Sequence, residues 1–139
     1  MKTFFIVPLT IAVLLVGAAT HANDAERADH SGPDFLAVTF YADWCGSCRV
    51  LDPRVDAVKE EFAGESILFT RVDHTDEFTT EQSKLFANLI GIKSIYDEAG
   101  GATGFLLVID RRNNEVVERL TRDDDEEAIK AKIREALAG

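Results

Sequence analysis

The sequence predicts an α/β fold, a three-layer sandwich in which helices cover both faces of a mixed four-stranded sheet. Short runs of β-branched and aromatic residues alternate with longer stretches whose apolar residues recur at helical spacing. The last two strand-like runs flank a short polar turn, as in an antiparallel hairpin. The predicted element order is therefore β-α-β-α-β-β-α, and the 117 residues that follow residues 1–22 suffice for one small core but not for two domains.

The first half of the predicted domain contains two strands and one helix. Residues 35–41 are β-branched and aromatic enough for a buried strand, and residues 66–73 form the second strand. The helix between them extends to Ala63, since the glycine that follows is a typical helix terminator. Its apolar face is marked by four residues at helical spacing, Leu51, Val55, Val58 and Phe62.

The second half adds two helices and the hairpin. A helix over residues 80–90 carries an apolar stripe and ends at Gly91. Residues 104–110 and 115–120 form the hairpin strands, joined by a polar turn. The last helix begins near Asp123, where acidic side chains lie at the positive end of the helix dipole.

Two segments precede this domain, which covers residues 35–139. Residues 1–22 have the pattern of a secretory signal peptide, with a basic start, an apolar stretch and a run of small residues that ends at Ala22. We expect cleavage after Ala22, export across the inner membrane to the periplasm, and no stable membrane association afterwards. The alternative is an uncleaved membrane anchor, for which the apolar stretch is short. Residues 23–34 form a polar leader.

The formal net charge of −10 limits the classes of partner. Nucleic acids and anionic membrane surfaces are bound through Lys and Arg side chains that neutralise phosphate. An acidic chain is poorly suited to both, so we expect no nucleic-acid partner.

Cys45 and Cys48 are the only two cysteines, and they fall at the turn between the first strand and the first helix. The unpaired N–H groups and the dipole at a helix N-terminus favour an anion, so we expect a lowered pKa and an available thiolate at Cys45. Cys48 lies one turn further along and can close a disulfide. A static disulfide is the alternative, but a bridge across two residues removes little entropy from the unfolded chain.

The residues around the cysteines resemble the active-site turn of the thioredoxin superfamily. The segment Trp44-Cys45-Gly46-Ser47-Cys48-Arg49 carries the match, together with Pro53 at the position where that family kinks its active-site helix. Residues 41–44 are similar to periplasmic thiol-reductase domains of the family, and the resemblance extends from residue 35 to the C-terminus. It implies a thioredoxin-like fold with Cys45 as the nucleophile and Cys48 as the resolving thiol. It also implies supporting roles for Trp44, Gly46, Ser47, Arg49 and Pro53.

Some of these residues also have plainer interpretations. Trp44 is expected to shield the disulfide and contact partners, or to be an ordinary half-buried aromatic side chain. Arg49 is expected to stabilise the thiolate, or to be a helix-surface cation.

Three positions depart from the family pattern. Ser47 lies where thioredoxins commonly have proline, and Thr39 lies where they have a buried acid that assists proton transfer. A hydroxyl cannot replace that base at neutral pH, so proton handling must come from water or from another acid. Asp43 is a candidate acid, although a solvated loop carboxylate is the preferred interpretation. Thr103 occupies the position of the family's cis-proline, and we expect a trans bond there because a non-proline cis bond costs ~3 kcal/mol.

The segment before the third strand is predicted to shape the substrate groove. Residues 93–103 are longer than a typical connection and contain a pair of glycines, so we expect a loop. Thr103 and Gly104 are expected beside the cysteines. Ile95 and Tyr96 are interpreted as ordinary packing residues rather than substrate contacts.

No metal and no cofactor are expected. His30 and His74 could in principle join the two cysteines in a four-ligand site. The paired spacing that is typical of such ligands is missing for these histidines.

Two functions of different classes are compatible with these features. The first is an exported, monomeric thiol–disulfide oxidoreductase that reduces or exchanges disulfides in protein substrates, with an upstream thiol redox partner. In it Cys45 attacks the substrate disulfide and Cys48 resolves the mixed disulfide. The second is a binding or chaperone-like module with the same fold and no redox turnover. The intact cysteines favour the first, whereas Thr39 and the missing proline are compatible with the second.

Overall fold

The computed structural model of the protein describes residues 32–139. The expected signal peptide at residues 1–22 and nearly all of the leader lie outside these residues, so cleavage after Ala22 stays a prediction. Within the described range, no helix combines the length and the apolar character needed to cross a membrane.

Four strands and four α-helices make up the described part of the chain. In chain order they are β1 (Phe35–Tyr41), α1 (Cys48–Lys59), β2 (Ile67–Asp73), α2 (Glu77–Leu89), α3 (Lys93–Ala99), β3 (Phe105–Asp110), β4 (Glu115–Thr121) and α4 (Glu126–Ala138). A short 3₁₀ turn, Glu60–Phe62, follows α1.

The strands form one mixed sheet in the order β2-β1-β3-β4. The central strand β1 runs parallel to β2 and antiparallel to β3, and β4 pairs antiparallel with β3. The parallel pair is connected through α1, as in a βαβ crossover. Since helices pack on both faces of the sheet, the predicted α/β class with a mixed four-stranded sheet is confirmed.

Strand β1 is buried on both faces, which explains why its sequence is almost entirely apolar. Phe35 and Ala37 pack with residues of α1 and α4 on one face. Leu36, Val38 and Phe40 pack with residues of α2 and α3 on the other face. The alternation along β1 therefore assigns each side chain to one of two half-cores.

The segment over residues 93–103 is not the loop that the sequence predicted. Its first part forms α3, and Ile95 and Tyr96 on this helix are buried. The helix ends at Gly100, which adopts a left-handed conformation with φ 60°. The helix forms because one helical stripe reaches the core next to Phe40, namely Ile92, Ile95, Tyr96 and Ala99. The fold therefore contains one more helix than predicted.

The other helices differ from the prediction only at their ends. Helix α1 ends at Lys59 rather than at Ala63. Helix α2 begins earlier than expected because Asp76 caps it: its side chain accepts a hydrogen bond from the backbone N–H of Thr79, and the Thr79 hydroxyl accepts one from the backbone N–H of Asp76. Helix α4 begins after Asp125, which caps it in a similar way.

Candidate active site

The two cysteines lie at the turn between β1 and α1. The backbone N–H of Cys45 donates to the carbonyl of Ala42 at 3.1 Å, which closes the turn. Cys48 is the first residue of α1, so its backbone N–H has no partner within the helix. That N–H donates instead to the Sγ atom of Cys45 at 3.2 Å. The sulfur of Cys45 therefore lies at the positive end of the helix dipole.

The two thiols differ in burial. Cys45 is 7% exposed, whereas Cys48 is 1% exposed. Both are free thiols, and they pack with Ala42 in a small apolar cluster. The Cys48 sulfur lies 3.7 Å from the carbonyl oxygen of Phe40. Cys45 is therefore the sulfur that a substrate reaches first.

The pKa values of the two thiols move in opposite directions. Burial acts to raise the pKa of Cys45, but hydrogen bonds from the Cys48 thiol, the Thr103 hydroxyl and two backbone N–H groups outweigh burial and lower that pKa. Burial raises the pKa of Cys48 to about 11, aided by its hydrogen bond to Cys45 and by the negative charges of Cys45 and Asp52. Of the two thiols, Cys45 is therefore the one that forms the reactive thiolate more readily, while Cys48 keeps its proton near neutral pH.

The connection into β3 brings Thr103 and Gly104 against the cysteine turn. The backbone N–H of Gly104 donates to the carbonyl of Phe40 at 2.8 Å. A Cβ atom at Gly104 would lie 2.7 Å from the Cβ of Ser47 and 3.3 Å from the Sγ of Cys45, and its φ of 92° also favours glycine. Thr103 follows a trans peptide bond, as expected. Both residues lie beside Cys45, where the sequence placed them.

Comparison with known proteins identifies several similar chains. The thioredoxin family model matches residues 19–87. The chain is 28% identical over 74 residues to a thioredoxin from Coprinus comatus, covering 52% of this chain and 69% of that protein. It is 33% identical over 78 residues to a protein disulfide-isomerase from Arthroderma benhamiae, covering 51% of this chain and 15% of the isomerase. A solved structure of a thioredoxin from Malassezia sympodialis is 20% identical and matches 76% of this chain and 80% of that chain, with a TM-score of 0.49.

The family-model match and these relatives support a thioredoxin-superfamily protein. Its thioredoxin and protein disulfide-isomerase relatives place it, at a coarse level, in a family of thiol–disulfide oxidoreductases. Three further thioredoxin relatives are matched over only 30%, 28% and 46% of their own lengths. The chain therefore spans less than half of those three proteins.

Other residues of the thioredoxin-like turn are held by the loop that follows β2. Trp44 is 60% exposed, and its Nε1 atom donates to the carbonyl of Thr75 at 3.2 Å. The Thr75 hydroxyl accepts a hydrogen bond from the backbone N–H of Asp43 at 3.0 Å. Sequence reasoning missed Thr75 because it is distant along the chain and belongs to no motif. Its two hydrogen bonds fix the turn on the side of Trp44.

Arg49 and Pro53 act on the backbone of this region. The guanidinium of Arg49 donates to the carbonyl of Asp43 at 3.3 Å, so this side chain braces the turn. The Asp43 side chain is exposed, which agrees with the preferred interpretation of a solvated loop carboxylate. Pro53 lies inside α1, where its missing N–H leaves the carbonyl of Arg49 without its usual helical partner.

The thioredoxin position for a buried acid holds Thr39, which is 5% exposed. Thr39 shares a cleft of about 180 Å³ with Asp52 of α1. The Oδ2 atom of Asp52 accepts a hydrogen bond from Arg71 at 2.9 Å, and its Oδ1 atom is buried with no hydrogen-bond partner. Burial raises the pKa of Asp52, against the opposing charge of Arg71. Sequence reasoning missed Asp52, although its position one helical turn after Cys48 was a usable signal.

His74 packs apart from the cysteines. Its ring stacks on Tyr96 with centroids 5.3 Å apart and on Phe40 at 6.4 Å. Burial lowers the pKa of His74, against a smaller opposing effect of Asp73. Among residues 32–139, no group of three or more His, Cys, Asp or Glu side chains is arranged to hold a metal ion. His30 lies outside that range.

Proposed function

We propose that the protein is an exported thiol–disulfide oxidoreductase that reduces or exchanges disulfides in protein substrates. The observation that carries this proposal is the 3.2 Å hydrogen bond from the first N–H of α1 to the Sγ of Cys45. This contact stabilises the thiolate, which is the form that attacks a disulfide. The protonated, more deeply buried Cys48 lies next to it as the second thiol.

The reaction proceeds in two exchange steps. The Cys45 thiolate attacks one sulfur of the substrate disulfide, the substrate S–S bond breaks, and the other substrate sulfur leaves as a thiolate that takes up a proton. Cys48 then loses its proton and attacks Cys45, which releases the second substrate sulfur in the same way. The substrate gains two electrons and two protons, and the protein is left with a Cys45–Cys48 disulfide. An upstream thiol partner returns this disulfide to the dithiol.

The surface around Cys45 supports docking of a protein segment. Trp44, which precedes Cys45 in the chain, has an exposed ring, and Thr103 and Gly104 lie beside the Cys45 sulfur. An aromatic surface beside the reactive sulfur provides apolar contact area for a substrate chain. The missing side chain at Gly104 keeps the approach to the sulfur open.

Insulin reduction by a small dithiol tests the activity. The wild-type protein should accelerate it, Cys45→Ser should abolish the acceleration, and Cys48→Ser should form stable mixed disulfides with substrate proteins, because the resolving thiol is gone. If the wild type gives no acceleration and Cys48→Ser traps no protein, the binding or chaperone-like module becomes the better explanation.

Export and periplasmic location are supported by the signal-like pattern of residues 1–22. N-terminal sequencing of the protein from a periplasmic fraction should give a chain that begins at Asn23. A full-length chain that sediments with the membranes would instead support a retained anchor.

A further inference from the structure

Asp52 has an oxygen atom for which the fold provides no partner. Its Oδ1 atom is buried without a hydrogen bond, while Oδ2 accepts one from Arg71. Burying a carboxylate oxygen without a partner is costly, and such atoms need an explanation. The side chain is only 15% exposed and stands on α1, the helix that begins with Cys48. A carboxylate in this position is therefore a candidate for a role at the active site.

The helix geometry places Asp52 next to Cys48. Residues four apart on an α-helix lie on one face, with Cβ atoms ~6 Å apart. Such a separation is long for a direct hydrogen bond and suits a bridging water molecule. The negative charge of Asp52 is one of the causes that raise the pKa of Cys48, so the two groups interact. Asp52 also lines a cleft of about 180 Å³ with Thr39, and this cleft has room for water through which Asp52 can exchange a proton with solvent.

The opposite wall of the cleft lacks a competing acid. The thioredoxin position for a buried acid is on β1, and here it holds Thr39, which cannot accept a proton at neutral pH. The acid on the helix and the hydroxyl on the strand line the same cleft. The carboxylate is thus still present in this region, but α1 supplies it instead of β1.

We propose that Asp52 is the proton acceptor for Cys48 when the mixed disulfide is resolved. This inference rests on the function proposed above. The Cys48 thiol gives its proton through water to the Asp52 carboxylate, and the resulting thiolate attacks the Cys45 sulfur of the mixed disulfide. The bond between Cys45 and the substrate sulfur breaks, the substrate sulfur leaves as a thiolate, and the proton on Asp52 passes to solvent or to that thiolate.

The surroundings of Asp52 suit this role. Arg71 on β2 faces it, Asp56 and Lys59 of α1 line the same cleft, and β1 contributes only the uncharged Thr39. Burial raises the pKa of Asp52 towards neutrality, which makes the carboxylate a better proton acceptor near neutral pH.

Stopped-flow oxidation of the reduced protein by excess Ellman's reagent tests the proposal. The first phase, proportional to reagent concentration, reports attack by Cys45, and the second, independent of concentration, reports attack by Cys48. Asp52→Asn should leave the first phase nearly unchanged and slow the second by about tenfold or more at neutral pH, since a positioned base contributes ~10²–10⁴-fold. The difference should shrink as the pH rises, because Cys48 then loses its proton to solvent without the help of Asp52.

Two further variants separate proton transfer from structural effects. Asp52→Glu keeps a carboxylate and should restore most of the second phase. Asp56→Asn removes a like charge that helps to raise the pKa of Asp52 but leaves the proposed proton acceptor in place, so it should leave the first phase unchanged and slow the second far less than Asp52→Asn does. An equal or faster second phase in Asp52→Asn would overturn the proposal, because it would show that Asp52 acts only by its charge. Equal slowing of both phases, or a wild type without a second phase, would also overturn it.

This assay uses a small reagent and does not depend on protein substrates. If the wild type shows both phases and Asp52→Asn slows only the second, the role of Asp52 stands even where insulin reduction fails. Failure of the proposed function and failure of this inference are therefore distinguishable.

Discussion

Substitution of Gly104 by alanine should damage both the stability and the chemistry of the site. The added Cβ would lie 2.7 Å from the Cβ of Ser47 and 3.3 Å from the Sγ of Cys45. Two carbon atoms pack at ~3.5–4.0 Å, so the first contact requires the cysteine turn or the start of β3 to move. The residue also has a φ of 92°, which a side chain disfavours.

The loss of stability in Gly104→Ala is the sum of two costs, the unfavourable backbone conformation and the steric contact. The backbone conformation costs about 1–2 kcal/mol for a residue with a Cβ. Forcing an extra methyl group into a tightly packed site costs typically ~1–3 kcal/mol. Together they lower the free energy of unfolding by about 2–5 kcal/mol, a large share of the ~5–15 kcal/mol that a domain has.

Gly101→Ala provides a matched control. Gly101 has a φ of 82°, and a Cβ added there would contact nothing within 4 Å. Gly101→Ala therefore has the cost of the backbone conformation but no steric clash. In urea denaturation of the reduced proteins, Gly104→Ala should be less stable than Gly101→Ala by ~1–3 kcal/mol. Only Gly104→Ala should slow insulin reduction.

A double-mutant cycle with Ser47→Gly locates the contact. Removing the Ser47 side chain leaves room for the new methyl group, so the two substitutions together should destabilise the protein by less than the sum of their separate effects. Equal stabilities of Gly104→Ala and Gly101→Ala, or strict additivity in the cycle, would refute the steric argument.

Three further predictions follow from the pKa directions. Brief alkylation of the reduced protein near neutral pH should modify Cys45 and spare Cys48, because the pKa of Cys45 is lowered and that of Cys48 is raised to about 11. Peptide mapping that finds Cys48 modified first would reverse the assigned roles. Thr103→Val should shift the pH midpoint of Cys45 alkylation upwards because the thiolate loses a hydrogen bond, whereas Thr103→Ser should retain the wild-type midpoint. Burial lowers the pKa of His74 from its ordinary 6.5, so the unfolded chain binds more protons and the folded protein loses stability as the pH falls below about 6.5. The melting temperature of His74→Phe should therefore fall less between about pH 7.5 and about pH 5 than that of the wild type, and an equal fall would count against this assignment.

The sequence predicted those strands and helices whose local residue pattern matches their burial in the fold. Strand β1 could be recognised because a strand buried on both faces is apolar throughout, and the hairpin could be recognised from its polar turn. Helix α3 was missed because it is short and is followed by glycines that are typical of a loop. Its formation depends on Ile95 and Tyr96 reaching the core, which is a tertiary effect rather than a local one.

The residues of the candidate site also divide into those that a local motif predicted and those whose place depends on tertiary packing. The positions of Cys45 and Cys48 follow from a short motif at a strand–helix turn, and Thr103 and Gly104 follow from the resemblance to thioredoxins. Thr75 could not be found in this way, because its role depends on how the loop after β2 meets the turn. Asp52 belongs to no motif, and its place in the cleft with Thr39 depends on how α1 packs against β1.

The two cysteine environments also determine when resolution occurs. In the reduced protein the pKa of Cys48 is raised by burial first, and then by its hydrogen bond to the Cys45 sulfur and by the negative charge of that sulfur. Once Cys45 is joined to a substrate, its sulfur carries no charge and is a much weaker acceptor. Two of the influences that hold the proton on Cys48 then disappear, while burial and Asp52 remain. Formation of the mixed disulfide therefore makes Cys48 easier to deprotonate at the step where its thiolate is needed, and it leaves Asp52 as the nearby group that can take the proton.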